Sequence, residues 1–205
     1  MIFKKEQTKD TFWAIWRIDE SKEELLSMLD DEQIQEEILA LKSEKKIIER
    51  LAVRVLIKEM TGEEIKLHYY PSGRPYLKDR NQNISISHTN AYVAVVLSSK
   101  KYAGIDIQYI TDKVLRVRQH FVSEEECIDP KNEVMHLLLH WSAKETIYKA
   151  LGTPGVDLLK ELYIHPFEPK TEGIFSATER RTESKMTFDI HYILNPHFVF
   201  TITLK

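Results

Sequence analysis

The stretch WSAKETIYKALG, from Trp141 to Gly152, closes a long helical pattern that covers residues 132–151. Gly152 follows the last periodic residue and is a typical helix-stop signal. Within the predicted helix, Glu145 and Lys149 lie four residues apart, so their side chains share one face. Spacing alone favours an ordinary surface pair, which stabilises a helix by roughly 0.3 kcal/mol.

Runs of β-branched and aromatic residues on both sides of this helix predict antiparallel strands. Before the helix, the predicted strands are Phe12–Ile18, Ile84–Ser87, Tyr92–Leu97 and Tyr102–Ile110. Because only a short turn separates the last two, they are predicted to form a hairpin. After the helix, alternating apolar and polar residues over 162–204 predict three or four antiparallel strands.

A second helical pattern runs from Ser21 to Met60 and precedes most of the N-terminal strands. Ser21 and Glu24 fit a capping box at its start, and Gly62 is a stop signal at its end. The chain therefore has two similar parts, each with a long helix and antiparallel strands. This predicts an α+β fold with two halves, which we place at residues 1–103 and 104–205.

Composition limits the classes of function. The 205 residues are 42% hydrophobic and 30% charged, which is ordinary for a globular protein with its own core. A net charge of −3 does not favour a nucleic-acid partner. The single cysteine, Cys127, excludes an intramolecular disulfide and fits a reducing, cytoplasmic location. The apolar stretch near the N-terminus is too short for a signal peptide or membrane span, so neither is expected.

The segment AGIDIQ, from Ala103 to Gln108, places an acid between two isoleucines. In a strand, Asp106 and Gln108 point to the face opposite the isoleucines. Gly104 would let a ligand or another backbone come close. Taken alone, the pattern favours an exposed aspartate on a half-buried strand over a binding site.

Two further fragments carry polar groups that suit phosphate. The turn Gly73-Arg74-Pro75 presents one cation on a stiff loop, and the segment 84–88, ISISH, ends in a serine and a histidine. Guanidinium, hydroxyl and imidazole groups can all donate hydrogen bonds to phosphate oxygens. Each fragment by itself is better interpreted as an ordinary turn and a structural histidine.

The order of these elements is more informative than any one of them. G-R-P, S-x-S-H, G-I-D-I and W-S-A-K-E-x-x-x-K-x-x-G, in this order from Gly73 to Gly152, resemble the 4′-phosphopantetheinyl transferase superfamily. The resemblance is closest to its larger, monomeric type, which activates surfactin synthetase and related carrier domains. The last motif is the most specific, and G-I-D-I comes next.

The resemblance implies two halves related by a pseudo-twofold axis, with coenzyme A in the cleft between them. It implies Mg²⁺-dependent transfer of 4′-phosphopantetheine from coenzyme A to a serine of an apo acyl or peptidyl carrier protein, with release of 3′,5′-ADP. Asp106 and Glu145 would bind Mg²⁺, which prefers carboxylate and phosphate oxygens. Many relatives have a second acid where this chain has Gln108, a weaker candidate ligand that a water could replace.

The resemblance also implies roles for individual residues. Glu145, directly or through a metal-bound water, is the candidate base for the serine proton, and Lys149 would stabilise the leaving pyrophosphate side. The positions that match coenzyme A contacts are Arg50, Arg54, Arg74, Pro75, Ser87, His88, Lys144 and Lys149. A solvated basic helix edge explains the two arginines at 50 and 54 equally well.

Arg116, Arg118 and Phe121 follow Asp106 closely and are the candidate docking residues for an acidic carrier protein. The alternative for this segment is a solvated helix with a buried apolar stripe.

Three other functions remain open at this point: a non-catalytic relative that binds coenzyme A or a carrier, an unrelated Mg²⁺-dependent phosphohydrolase, and a purely structural role. The joint presence of Asp106, Glu145 and Lys149 favours catalysis. A hydrolase would use water as the acceptor and need no carrier.

Overall fold

Each of two units of the chain combines one antiparallel sheet with one long helix. The computed structural model describes residues 1–78 and 80–205, and it divides into Met1–Lys100 and Lys101–Lys205. The predicted α+β class is confirmed. The pseudo-twofold relation between the halves stays a prediction. Within the described residues, no helix is both long and apolar enough to cross a membrane.

The N-terminal unit has a four-stranded sheet and three helices. In chain order its elements are β1 (Ile2–Gln7), β2 (Thr11–Arg17), α1 (Lys22–Ser27), α2 (Glu32–Leu39), α3 (Glu44–Thr61), β3 (His68–Tyr69), β4 (Pro75–Tyr76), β5 (Asn83–Thr89) and β6 (Tyr92–Ser98). The sheet order is β1-β2-β6-β5, and β3 and β4 form a separate short ribbon. Helix α3 packs against β2 and β6, where it buries the core of the unit.

The C-terminal unit has a five-stranded sheet and one long helix. Its elements are β7 (Ala103–Tyr109), α4 (Val114–Val117), a 3₁₀ turn (Arg118–His120), α5 (Glu133–Leu151), β8 (Leu162–Ile164), β9 (Glu172–Glu179), β10 (Thr187–Leu194) and β11 (Phe198–Leu204). The sheet order is β7-β11-β10-β9-β8, with every pair antiparallel. Four strands follow α5, as the alternation of residues predicts. Helix α5 packs on β7 and β11.

Helix ends agree with the signals in the sequence. Ser21 Oγ accepts a hydrogen bond from the Glu24 amide at 3.2 Å, and the Glu24 carboxylate accepts one from the Ser21 amide at 2.7 Å. This is the predicted capping box. Gly62 and Gly152 end α3 and α5 in the left-handed conformation, with φ of 74° and 62°. The helical region 21–60 is divided into three helices rather than one.

The predicted hairpin between Tyr92–Leu97 and Tyr102–Ile110 is wrong. Strand β6 pairs with β2 on one side and β5 on the other, so both of its edges are occupied. Strand β7 pairs instead with β11, in the other unit. The turn near residue 100 therefore leads out of one sheet and into the next, and the tight hairpin joins β5 to β6.

Gly104 lets α5 approach β7 closely. A Cβ at this position would lie 2.1 Å from the backbone oxygen of Thr146 and 3.0 Å from the Cβ of Ala150. A backbone oxygen on a packed helix cannot rotate away as a flexible side chain can, so α5 would have to shift. This contact sets the distance between the strand that carries Asp106 and the helix that carries Lys149.

We therefore expect Gly104→Ala to lower the free energy of unfolding by about 2 kcal/mol or more, because overpacking a core forces backbone shifts. Urea denaturation measures this loss. Gly62→Ala is the matched control: its Cβ would meet nothing within 4 Å, and only the positive φ is unfavourable. A Gly104→Ala variant no less stable than Gly62→Ala would contradict the close approach.

Two histidines on α5 are buried in the core of the C-terminal unit. His140 Nδ1 donates to the His136 carbonyl at 2.9 Å, and its ring stacks on Phe167 with centroids 5.7 Å apart. His136 Nδ1 accepts the Asp129 amide at 2.9 Å, and its Nε2 is buried with no hydrogen-bond partner among the described residues. Burial lowers the pKa of His140 to about 3, against the opposing effect of the hydrogen bond to His136.

This burial predicts a loss of stability in acid. Between about pH 6.5 and pH 3, the unfolded chain binds a proton at His140 that the folded chain does not, so the free energy of unfolding falls as the pH falls. The slope is at most about 1.4 kcal/mol per pH unit for one proton. In urea denaturation at pH 7 and pH 4.5, His140→Phe should lose less stability than the wild type. His191→Phe, at an exposed position on β10, should behave as the wild type does; equal acid sensitivity in both variants would refute the prediction.

Candidate functional site

Asp106 lies in the middle of β7 with only 1% of its surface exposed. Its Oδ1 accepts a hydrogen bond from Lys149 Nζ at 2.7 Å, and its Oδ2 accepts bonds from Ser142 Oγ at 2.9 Å and Gln108 Nε2 at 3.0 Å. A buried carboxylate is tolerated only when such partners compensate its charge. Helix α5 and strand β7 thus bring Asp106, Lys149 and Gln108 together.

Glu145 lies one helical turn before Lys149 and is half-buried. Burial and then the negative charge of Asp106 raise the pKa of the Glu145 carboxyl, while Lys149 lowers it. The structure shows no hydrogen bond or ion pair to this carboxylate within residues 1–78 and 80–205. Its oxygens are therefore available to an incoming proton, metal ion or hydrogen-bond donor.

The donor set fits a Mg²⁺ ion that substrate oxygens help to bind. Two carboxylates, from Asp106 and Glu145, are close enough to repel each other. Mg²⁺ commonly takes one or two carboxylates and completes its shell with phosphate oxygens and water. No group of three or more His, Cys, Asp or Glu side chains suited to a metal occurs in the described residues. A metal ion bound here would therefore need substrate oxygens or water to complete its coordination shell. Gln108 acts here as a hydrogen-bond donor to Asp106.

Lys144 lies away from this cluster, in the interior of the same unit. Its ammonium is fully buried and donates to the Phe121 carbonyl at 2.5 Å and to Glu126 Oε2 at 2.8 Å. Burial lowers the pKa of Lys144, and Glu126 opposes this shift. These interactions give Lys144 a structural role, and they correct the expectation that it lies in a phosphate shell.

In the N-terminal unit, a groove of about 320 Å³ collects three of the residues predicted to contact coenzyme A, namely Arg50, Pro75 and His88. The Arg50 guanidinium lies 4.7 Å from the Tyr69 ring centroid and donates to the Tyr69 hydroxyl. His88 Nδ1 is 3.5 Å from the Glu49 carboxylate. The remaining lining residues are Lys46, Glu49, Val53, Tyr69, Gly73 and Ile86.

The other predicted contacts of this unit lie elsewhere. Arg54 is buried, its Nη1 donates to the Ile65 carbonyl at 2.9 Å, and burial lowers its pKa. Arg74 lines a second cavity of about 260 Å³, which shares Pro75 with the groove. Ser87 is 5% exposed, within β5. The structure therefore groups Arg50, Pro75 and His88 in one groove, with Arg74 next to it in the second cavity, whereas Arg54 and Ser87 line neither.

The predicted docking residues differ in exposure. Arg116 is exposed on α4, and the exposed Arg118 pairs with Glu133 at 2.8 Å. Phe121 is 0% exposed and packs edge-on against Trp141, with centroids 5.2 Å apart. A fully buried ring has no surface to offer a partner, so Phe121 belongs to the core and not to a docking surface.

Ser142 and Thr201 are site residues that sequence reasoning missed. Ser142 precedes Lys149 by seven residues, so helical periodicity places both on one face and could have identified it. Thr201 lies in β11, where it pairs with Asp106 in the sheet register. No local pattern marks Thr201, because its position depends on a strand pairing across most of the unit.

Comparison with known proteins identifies a family model and a curated relative that match this chain. The model of a family described as the 4′-phosphopantetheinyl transferase superfamily matches residues 102–199. A protein of Haemophilus influenzae named "Putative 4′-phosphopantetheinyl transferase" is 27% identical over 119 residues, which are 54% of this chain and 49% of that protein. The match thus spans about half the length of the curated relative. The matched family region contains Asp106, Glu145 and Lys149.

Proposed function

We propose that this protein transfers 4′-phosphopantetheine from coenzyme A to a serine of an apo carrier protein, a proposal supported by the superfamily model that matches residues 102–199 and by the Haemophilus influenzae relative. The observation that carries the proposal is the convergence of Asp106, Glu145 and Lys149 in the matched region. An acid with a raised pKa, a second acid and a cation are the groups that such a transfer needs.

In the proposed reaction, the serine oxygen forms a bond to the β-phosphorus of coenzyme A. The bond from that phosphorus to the bridging pyrophosphate oxygen breaks, and 3′,5′-ADP leaves. Glu145 takes the serine proton, directly or through a water. Burial and the charge of Asp106 raise the pKa of the metal-free Glu145 carboxyl. Because a carboxylate that also binds Mg²⁺ is a poor base, the route through a water carries equal weight. The Lys149 ammonium stabilises negative charge on the departing phosphate.

We assign Mg²⁺ to Asp106 and Glu145, with Gln108 as an additional or water-replaced ligand. When bound, the ion would neutralise charge on the pyrophosphate. The contribution of the protein is then mainly positioning and charge stabilisation, as in other phosphoryl transfers. Hydrogen bonds from Gln108, Ser142 and Lys149 hold Asp106 in place for this role.

We assign phosphate groups of coenzyme A to the groove of the N-terminal unit. Lys46, Arg50 and His88 supply positive or hydrogen-bonding groups, and Arg50 is already oriented by Tyr69. An arginine held in place loses less conformational freedom when it binds an anion than a free one does. Glu49 is the exception in this lining, and one of its carboxylate oxygens lies 3.5 Å from His88 Nδ1.

The test is to incubate the protein with coenzyme A, Mg²⁺ and several apo carrier proteins, and then to weigh each carrier by mass spectrometry. The proposal predicts a carrier heavier by one phosphopantetheine, and no gain when the metal is chelated. Absence of any gain across fatty-acid, polyketide and peptide-synthetase carriers would defeat it. Carrier-independent cleavage of coenzyme A would instead support the phosphohydrolase alternative.

The exposed face of α4 is the proposed docking surface for the carrier. It presents Leu115 and Val117, 40% and 41% exposed, next to the basic residues Arg116 and Arg118. An apolar patch with a basic rim suits an acidic partner.

We expect the double change Arg116→Glu and Arg118→Glu to weaken carrier binding about tenfold or more, since like charges then face the acidic partner. Coenzyme A affinity should not change. Calorimetric titration of each ligand measures both effects. Lys160→Glu, an exposed reversal elsewhere in the unit, is the matched control. Carrier affinity equal to that of Lys160→Glu would remove α4 from the docking surface.

A further inference from the structure

Three buried hydroxyl groups lead from the interior of the C-terminal unit to Asp106. Thr146 Oγ1 is 2.7 Å from Thr201 Oγ1, Thr201 Oγ1 is 2.9 Å from Ser142 Oγ, and Ser142 Oγ is 2.9 Å from Asp106 Oδ2. All three hydroxyl residues are 0% exposed. We propose that Thr146, Thr201 and Ser142 form a one-directional hydrogen-bond chain that positions the Asp106 carboxylate for the reaction.

The direction of the chain follows from its last acceptor. An ionised carboxylate only accepts hydrogen bonds, so Ser142 must donate its single hydroxyl hydrogen to Asp106. Ser142 then accepts from Thr201, and Thr201, having donated its own hydrogen, accepts from Thr146 at 2.7 Å. The Thr146 hydroxyl also lies 3.3 Å from the Thr201 carbonyl oxygen, which is a longer contact. Every O–H dipole in the chain therefore points toward the carboxylate. Aligned hydrogen bonds in a dry interior strengthen one another.

The chain is built on rigid elements. Thr201 pairs with Asp106 in the β11–β7 register, and Ser142 and Thr146 are one turn apart on α5. The backbone of α5 approaches β7 at Gly104, where a Cβ would meet the Thr146 carbonyl oxygen. Sheet and helix thus fix both ends of every hydroxyl contact, and Asp106 Oδ2 is held while Oδ1 engages Lys149.

The catalytic part of this inference rests on the proposed transfer. Ser142 and Thr201 are positioning residues that act through Asp106. Supporting groups of this kind typically change activity by about 10–100-fold when they are removed. We expect about a tenfold loss of kcat in Thr201→Val, with a smaller change in the KM for the carrier. The loss should be larger in Ser142→Ala, which removes the direct bond to the carboxylate.

The experiment uses two nearly isosteric changes on one strand. Thr201→Val removes a hydroxyl of the chain, whereas Thr203→Val removes one that donates to the Asp189 carbonyl at 2.8 Å and is equally buried. The first readout is the ¹³Cγ resonance of Asp106 in the ligand-free protein, which responds to hydrogen bonds at the carboxylate. The second is kcat for carrier modification. Thr201→Ser keeps the hydroxyl and should restore both readouts toward the wild type.

We expect the Asp106 resonance and kcat to change in Thr201→Val and not in Thr203→Val. In a Ser142→Ala background, Thr201→Val should add almost nothing, because Thr201 acts through Ser142. An Asp106 resonance that Thr201→Val leaves unmoved overturns the chain, whatever the kinetics show. A shifted resonance with a kcat equal to that of Thr203→Val overturns the positioning role. Failure of the wild type to modify any carrier would defeat the proposed function alone, since the resonance still tests the chain.

Discussion

Replacing Glu145 with glutamine is expected to lower kcat for carrier modification by about 10²–10⁴-fold, the range typical of a lost general base. The same change should leave the melting temperature equal to or above that of the wild type. Burial and the charge of Asp106 raise the pKa of Glu145, so its ionised form opposes folding above the pKa of the unfolded chain. Initial-rate kinetics and thermal unfolding of one preparation measure both effects.

Glu168→Gln, at an exposed position outside the cluster, is the matched control and should change neither quantity. The combination of lower activity and undiminished stability separates a functional carboxylate from a structural one. If Glu145→Gln retained the wild-type kcat, or lost activity only because the variant unfolded, the assignment of Glu145 as the base would be wrong.

The second large effect concerns stability. Lys144→Met is expected to lower the free energy of unfolding by about 3–5 kcal/mol, because it leaves the buried carboxylate of Glu126 without its cation. That carboxylate would keep only the amides of Ser123 and Ile164 as donors, at 2.8 Å each. Urea denaturation measures the loss, and Lys160→Met provides the exposed control.

Adding Glu126→Gln to Lys144→Met should recover part of the lost stability, since it removes the uncompensated charge. The folded fraction of either variant should bind coenzyme A as the wild type does. A stable Lys144→Met protein with weakened coenzyme A binding would reverse this interpretation. It would restore Lys144 to the phosphate contacts that the motif resemblance implies.

Helix α5 and the strands after it could be predicted because their signals are local. A helical period that ends at Gly152, followed by alternating residues, specifies each element without reference to the rest of the chain. The pairing of β6 could not be predicted in this way. A short turn between two apolar strands indicates a hairpin equally well whether the strands pair or enter different sheets.

Strand β1 shows a different limit. Its sequence, IFKKEQ, is polar and mostly exposed because it forms the edge of the N-terminal sheet, and β2 is its partner among the described strands. Edge strands commonly carry charged residues, which discourage pairing with other chains. Because of these charges, the sequence of β1 lacks the apolar alternation from which a strand is normally predicted.

At the candidate site, motif spacing predicts the positions of some side chains and not of others. Glu145 and Lys149, four apart, share a face as the spacing predicts. Lys149, however, pairs with Asp106 and does not form the ordinary surface pair that spacing alone favours. Lys144 and Lys149 are five apart, which places them on different faces of one helix, and only the structure shows which lysine is buried. The same limit applies to Phe121. An aromatic residue in a basic segment can face either a partner or the core, and only the structure shows that this ring is buried.

The most direct test of the account is to measure 3′,5′-ADP and modified carrier in the same reaction, with coenzyme A and Mg²⁺ present. The account predicts that one 3′,5′-ADP is released for each carrier modified, that neither forms without carrier, and that Glu145→Gln suppresses both together. Release of 3′,5′-ADP without carrier, or no modified carrier at all, would contradict the assignment of Asp106, Glu145 and Lys149 to phosphopantetheine transfer.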